Sequence, residues 1–118
     1  DARTPSGFWH WAVKDIPGDM EGLEAGAGSS GDASLPAGAR HLRNDGGTRG
    51  YDGPAPPPGH GPHRYFIAVH AVDVERLPGD DDSSVAHLHL TLLGHTLARA
   101  VMMPTYEAPA IGQEEEAA

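Results

Sequence analysis

The sequence predicts a mainly β protein, and three observations carry that prediction. Residues 8–16 and 63–74 alternate side-chain character with the two-residue period of a strand. Between them lie stretches rich in glycine, proline, serine, asparagine and aspartate, which favour turns over helices. Only residues 84–93 repeat apolar side chains at helical spacing.

From Phe8 to Ile16, the side chains of Trp9, Trp11 and Val13 take one face, and those of His10, Ala12 and Lys14 the other. Pro17-Gly18 ends the strand, because proline lacks the amide a ladder needs. Tryptophans this close together are expected in the core. His10 then reads either as the polar wall of a cavity or as a structural histidine bonded to a carbonyl. Burying an imidazole without a partner is costly. Residues 18–38 are dominated by glycine, alanine and serine and read as a surface excursion, its end pinned by Leu35 and Leu42.

Asn44 to Tyr51 has the composition of successive tight turns. The following loop, Gly50 to His60, is stiffened by prolines and opened by glycines. A folded rim over a polar pocket is the preferred reading, ahead of a polyproline peptide ligand. His63 to Val74 is the clearest strand. Tyr65, Ile67, Val69 and Ala71 alternate with Phe66, Ala68, His70 and Val72, and both faces are mostly apolar, which predicts burial on both sides. His63 and Tyr65 share a face, so their polar tips can converge on one ligand. His70 points the other way and reads as structural.

Leu77 to Asp82 reads as an acidic turn whose spacing lacks the oxygen donors of a calcium loop. A helix follows from about Ser84 to Leu93, capped by Asp82 or Ser83 and ended by Gly94. A last strand is expected from Ala98 to Tyr106, stopped near Pro104, and Glu114 to Glu116 form an acidic tail.

Composition bounds the function. At 118 residues the chain is one domain at most, and 8 basic against 17 acidic residues give a formal charge of −9. That balance argues against a nucleic-acid surface. A small anion stays open, because the local field of a pocket can oppose the global sign. Without cysteine there is no disulfide and no thiolate zinc site. No segment has the length of a membrane span, and the first residues lack the order of a signal peptide. The protein is expected in the cytoplasm, with the periplasm or secretion as alternatives.

His10, His63 and the Tyr65 hydroxyl can all donate to a phosphate or carboxylate, and the amides of Tyr51-Asp52-Gly53 add donors without charge. Metal binding is the rival. His60 with His63 and His87 with His89 are close pairs, but a zinc site wants a third and fourth ligand, and two positions apart on a helix do not chelate together. No metal or cofactor is expected. Hydrolysis lacks a nucleophile-elbow sequence, although Ser6, His10 and Asp1 supply the residue types of a triad.

The segment Asp1-Ala2-Arg3-Thr4-Pro5-Ser6-Gly7-Phe8-Trp9-His10-Trp11 resembles the end of the Asp-Pro-Asp-Ala-Pro motif and the following strand of phosphatidylethanolamine-binding proteins. The bacterial branch, similar to the Raf kinase inhibitor protein, is the nearest. Asn44-Asp45-Gly46, Gly50-Tyr51-Asp52-Gly53-Pro54 and Pro57 to Tyr65 are similar to the second block of that family, and Gly94-His95 through Tyr106 to its carboxyl-terminal segment. The resemblance implies an antiparallel Greek-key β fold with a short helix near the carboxyl end. It implies an anion pocket lined by His10 and His63, supported by Tyr65, rimmed by Gly53 and Pro54, with Asp1 at the second aspartate of the motif. Arg3 stands where the motif has proline.

The implied function is non-catalytic capture of a small anionic or phosphate-containing group such as a phosphoethanolamine headgroup. The alternatives are a protease or kinase inhibitor or interaction module, and a weak hydrolase. The family's amino-terminal strands would precede Asp1, so residues 1–118 read as a partial domain completed by another piece of chain. A sheet edge left open in this way would favour pairing as a homodimer.

Overall fold

A computed structural model describes residues 4–110. They fall into two compact units. One is made of Trp9–Asp52 and His70–Arg99, the other of Asp1–Phe8, Gly53–Val69 and Ala100–Ala118 within the described range. The strands are β1 (Val13–Lys14), β2 (Arg40–His41), β3 (His63–Arg64), β4 (Ile67–Val72), β5 (Thr96–Met102) and β6 (Thr105–Tyr106), and the helix α1 is Val85–His95. Strands pair as β1 with β2, β3 with β6 and β4 with β5. The first two ladders are antiparallel.

In the first unit β1 lies between two apolar clusters. Ala12 joins Leu42, Leu77, Val85, Leu88 and Leu92. Val13 packs instead against Ala27, Leu35 and Ala39. Successive residues of an extended run point to opposite sides, so Ala12, just before β1, and Val13, within it, serve different clusters. Burying a side chain such as Leu42 contributes roughly 1.5–3 kcal/mol. The extended run is longer than its ladder: the Leu42 amide donates to the Ala12 carbonyl at 3.0 Å, and the Asp45 amide to that of Trp9 at 2.8 Å. Asp15, at φ 61°, turns the chain out of the strand before Ile16.

The tryptophans reverse their expected role. Trp9 is 39% and Trp11 37% exposed, while Ala12 at 9% and Lys14 at 5% are buried. Small Ala12 fits against the leucine cluster. The indole of Trp11 meets Tyr51 edge-on, with ring centroids 6.1 Å apart, and Trp9 lies 4.6 Å from the ring of His89. Residues 18–38 are turns, as expected, yet they bury Ala27 as well as Leu35. Gly28 allows the contact that ties this loop down, since a Cβ there would stand 2.7 Å from that of Tyr51. The Tyr51 amide donates to the Gly28 carbonyl at 2.7 Å, and the Gly31 amide to that of Arg49 at 2.8 Å.

Ser84, rather than Asp82 or Ser83, caps α1, its hydroxyl accepting from the His87 amide at 3.0 Å. Ser83 and Asp82 are engaged elsewhere. The Ser83 hydroxyl accepts from the Asp80 amide, and Asp82 pairs with Arg49. Val85, Leu88 and Leu92 form the buried stripe of the helix. Gly94 does not end it. The helix runs to His95, and Thr96 closes it by giving both its amide and its hydroxyl to the Leu92 carbonyl. Strand β5 therefore starts at Thr96, directly on the helix, rather than at Ala98.

In the second unit the segment expected as one strand is broken. β3 pairs His63 with Tyr106 and Arg64 with Thr105. Tyr65 then donates its amide to the Pro104 carbonyl at 2.9 Å, and β4 begins at Ile67. The expected burial on both faces is not found: Phe66, Ile67 and Val69 are exposed, Val69 by 66%. Apolar alternation specifies a strand, but a covering layer must come from elsewhere in the fold, and the described residues give β4 one partner strand.

Candidate functional site

In the first unit the strand run presents His10, which is half-buried. Its Nδ1 lies 2.6 Å from the Asp52 carbonyl oxygen, and the Asp52 amide donates to the His10 carbonyl at 2.9 Å. A carbonyl only accepts, so Nδ1 carries the proton and Nε2 is the acceptor nitrogen of the neutral ring. Neutral, it accepts; protonated, it donates to an anion.

The support behind His10 comes from the Asn44–Asp52 turn. Asp45 accepts the Trp9 amide on Oδ2 at 2.7 Å. Buried Asn44 donates from Nδ2 to the Thr48 hydroxyl at 2.8 Å and to the Gly50 carbonyl at 2.9 Å, while its Oδ1 accepts the Thr48 amide at 3.2 Å. These bonds set the path of the backbone that reaches Asp52. Asn44 and Asp45 are thus positioning residues, which strand periodicity does not single out. The signal that points to them is an Asn-Asp-Gly-Gly run, the composition of a side-chain-tied turn.

In the second unit, His63 on β3 and Tyr65 just beyond it are both half-buried, and both are held by backbone bonds to the stretch around β6. Gly53 and Pro54 belong to this unit as well, whereas His10 belongs to the other. Asp1 lies outside the described residues. His60 stands beside His63, its Nδ1 3.3 Å from Nε2 of His63. Partial desolvation, with the nearby His60 adding repulsion, holds the His63 pKa below 6.5. The Arg64 guanidinium lies 5.5 Å from the centre of the Phe66 ring. His70, expected to be structural, meets the Thr96 hydroxyl at 3.1 Å. Among the described residues no three His, Asp or Glu side chains gather as a metal cluster, and no helix is long and apolar enough to cross a membrane.

Comparison with known proteins gives these residues a context. A family model described as phosphatidylethanolamine-binding protein matches residues 1–107. The chain is 45% identical over 100 residues to the UPF0098 protein YbhB of Escherichia coli (strain K12), an alignment covering 85% of this chain and 62% of that protein. To the UPF0098 protein YbcL of the same organism it is 41% identical over 107 residues, 91% of this chain and 58% of that one. The crystal structure of YbcL, described as a new member of the mammalian PEBP family, superposes with a TM-score of 0.85 at 41% identity, covering 91% of this chain and 65% of that chain.

The chain thus spans about three fifths of the length of these two curated relatives. Its mainly antiparallel β architecture, with a short helix toward the carboxyl end, matches the fold of the solved relative. A matching family model, close relatives and a shared fold place this chain in the phosphatidylethanolamine-binding protein family.

Proposed function

We propose that the chain captures a small anionic group, phosphate or a phosphate ester such as a phosphoethanolamine headgroup, without covalent chemistry. His10 is the candidate donor of the first unit; His63 and Tyr65, with Gly53 and Pro54, are the candidate donors and rim of the second. The observation that carries this reading is the fixed tautomer of His10: Nδ1 donates to the Asp52 carbonyl, which leaves Nε2 as the acceptor nitrogen of the neutral ring. Membership of a binding family supports it. An imidazolium–phosphate contact is a charge-assisted bond, stronger than its neutral counterpart.

Calorimetry with inorganic phosphate and with O-phosphoethanolamine tests the reading. His63→Ala should weaken both by at least about tenfold, the loss of a charge-assisted bond of about 1.5–3 kcal/mol, and leave the fold intact. The pKa of His63 is depressed without ligand, and an anion would raise it. Binding therefore takes up a proton, so affinity should increase as pH falls from 8 to 6. Unchanged affinity in both His10→Ala and His63→Ala would reject the assignment.

The exposed Pro57–His60 turn supports a second reading, a rim presented to a protease or kinase. Pull-downs with substitutions confined to residues 57–60 separate it from ligand capture, because phosphate affinity would then stay intact.

A further inference from the structure

His60 and His63 stand together in a way that anion capture does not require. Nδ1 of His60 and Nε2 of His63 are 3.3 Å apart, with ring centroids at 5.4 Å and planes inclined by 34°. Two imidazole nitrogens bound to one tetrahedral zinc ion, each at about 2.0–2.1 Å, stand about 3.3 Å from each other. We propose that His60 and His63 form a two-point site for a late divalent transition metal, with Zn2+ as the reference ion.

The frame that holds the two rings is stiff on both sides. His60 closes a turn in which its amide donates to the Pro57 carbonyl at 3.2 Å. Pro58 sets the first central position of that turn, and Gly59, at φ 79°, takes the left-handed second one. His63 is fixed by its ladder to Tyr106. Little freedom is lost when such a pair closes on an ion, so two donors suffice for a useful affinity.

The electrostatics agree. A formal charge of −9 raises the local concentration of cations. Two protein ligands leave positions for water, so the site is open and exchangeable, unlike the closed four-ligand zinc site that the sequence argues against. Cu2+ is expected to bind more tightly than Zn2+.

The proposal is independent of anion capture although His63 serves both. Zinc affinity is therefore measured on the 118-residue chain in phosphate-free buffer, by competition with a chromophoric chelator. His60→Ala and His63→Ala should each weaken zinc binding by at least about tenfold, the loss of the chelate advantage. His87→Ala on the helix should leave it unchanged. Circular dichroism confirms that each variant is folded, and His63→Gln replaces His63→Ala if the latter is not. Zinc affinity equal to wild type in folded His60→Ala, or a loss confined to one of the two positions, overturns the two-point site. Failure of the phosphate experiment alone would leave it standing.

Discussion

Nε1 of Trp11 donates a 2.8 Å hydrogen bond to Nε2 of His41, a side chain with no exposed surface. The other ring nitrogen of His41 lies 2.7 Å from the Gly31 carbonyl and so carries the proton. One buried imidazole thus joins the aromatic strand run to the glycine loop. Trp11→Phe keeps the apolar ring and removes the donor, leaving a buried acceptor unsatisfied. A loss of about 1–3 kcal/mol is expected in urea denaturation. A shift within error of wild type would show that water replaces the indole at no cost.

Asn44 gives the same argument with charge. Asn44→Asp replaces the donor facing the Gly50 carbonyl with a second acceptor and buries a carboxylate. The variant should lose at least about 1–3 kcal/mol, and more than Asn44→Ala, which adds no charge. Thermal melts of the two variants at pH 7 check the order. Equal melting temperatures would show that the buried carboxylate adds no cost beyond the lost donor.

His70 makes stability depend on pH. Burial, the Arg99 charge and His89 hold its pKa below the ordinary 6.5. The unfolded chain therefore binds the extra proton first, and stability attributable to His70 falls as pH drops below about 6.5, until the folded group itself titrates. The Thr96 hydroxyl gives its proton to the Leu92 carbonyl, so it accepts from Nδ1 of His70, a bond that both charge states retain. The penalty is thus desolvation and like-charge repulsion. His70→Gln should flatten the fall in urea midpoint between pH 7.5 and 5.5; an unchanged slope would assign it to other groups.

The strand-forming segments other than β2, the turn-rich middle and the short helix were legible from periodicity, turn chemistry and resemblance. Their boundaries were less so. Ser83 and Ser84 are chemically equivalent as caps, and a contact with Asp80 decides between them. Gly94 has the composition of a helix end, but Thr96 satisfies the terminal carbonyl of Leu92 and lets the helix run past it.

By itself the chain order determined which residues alternate, which turn, and which carry imidazoles, because these depend on backbone sterics and side-chain identity over a few neighbours. Tertiary packing decided which face of the aromatic strand is buried, which nitrogen of His10 keeps its proton, and that His60 stands one metal bite from His63. Each of those outcomes is set by an atom distant in sequence or by the exact path of a turn, and local pattern holds no information about either.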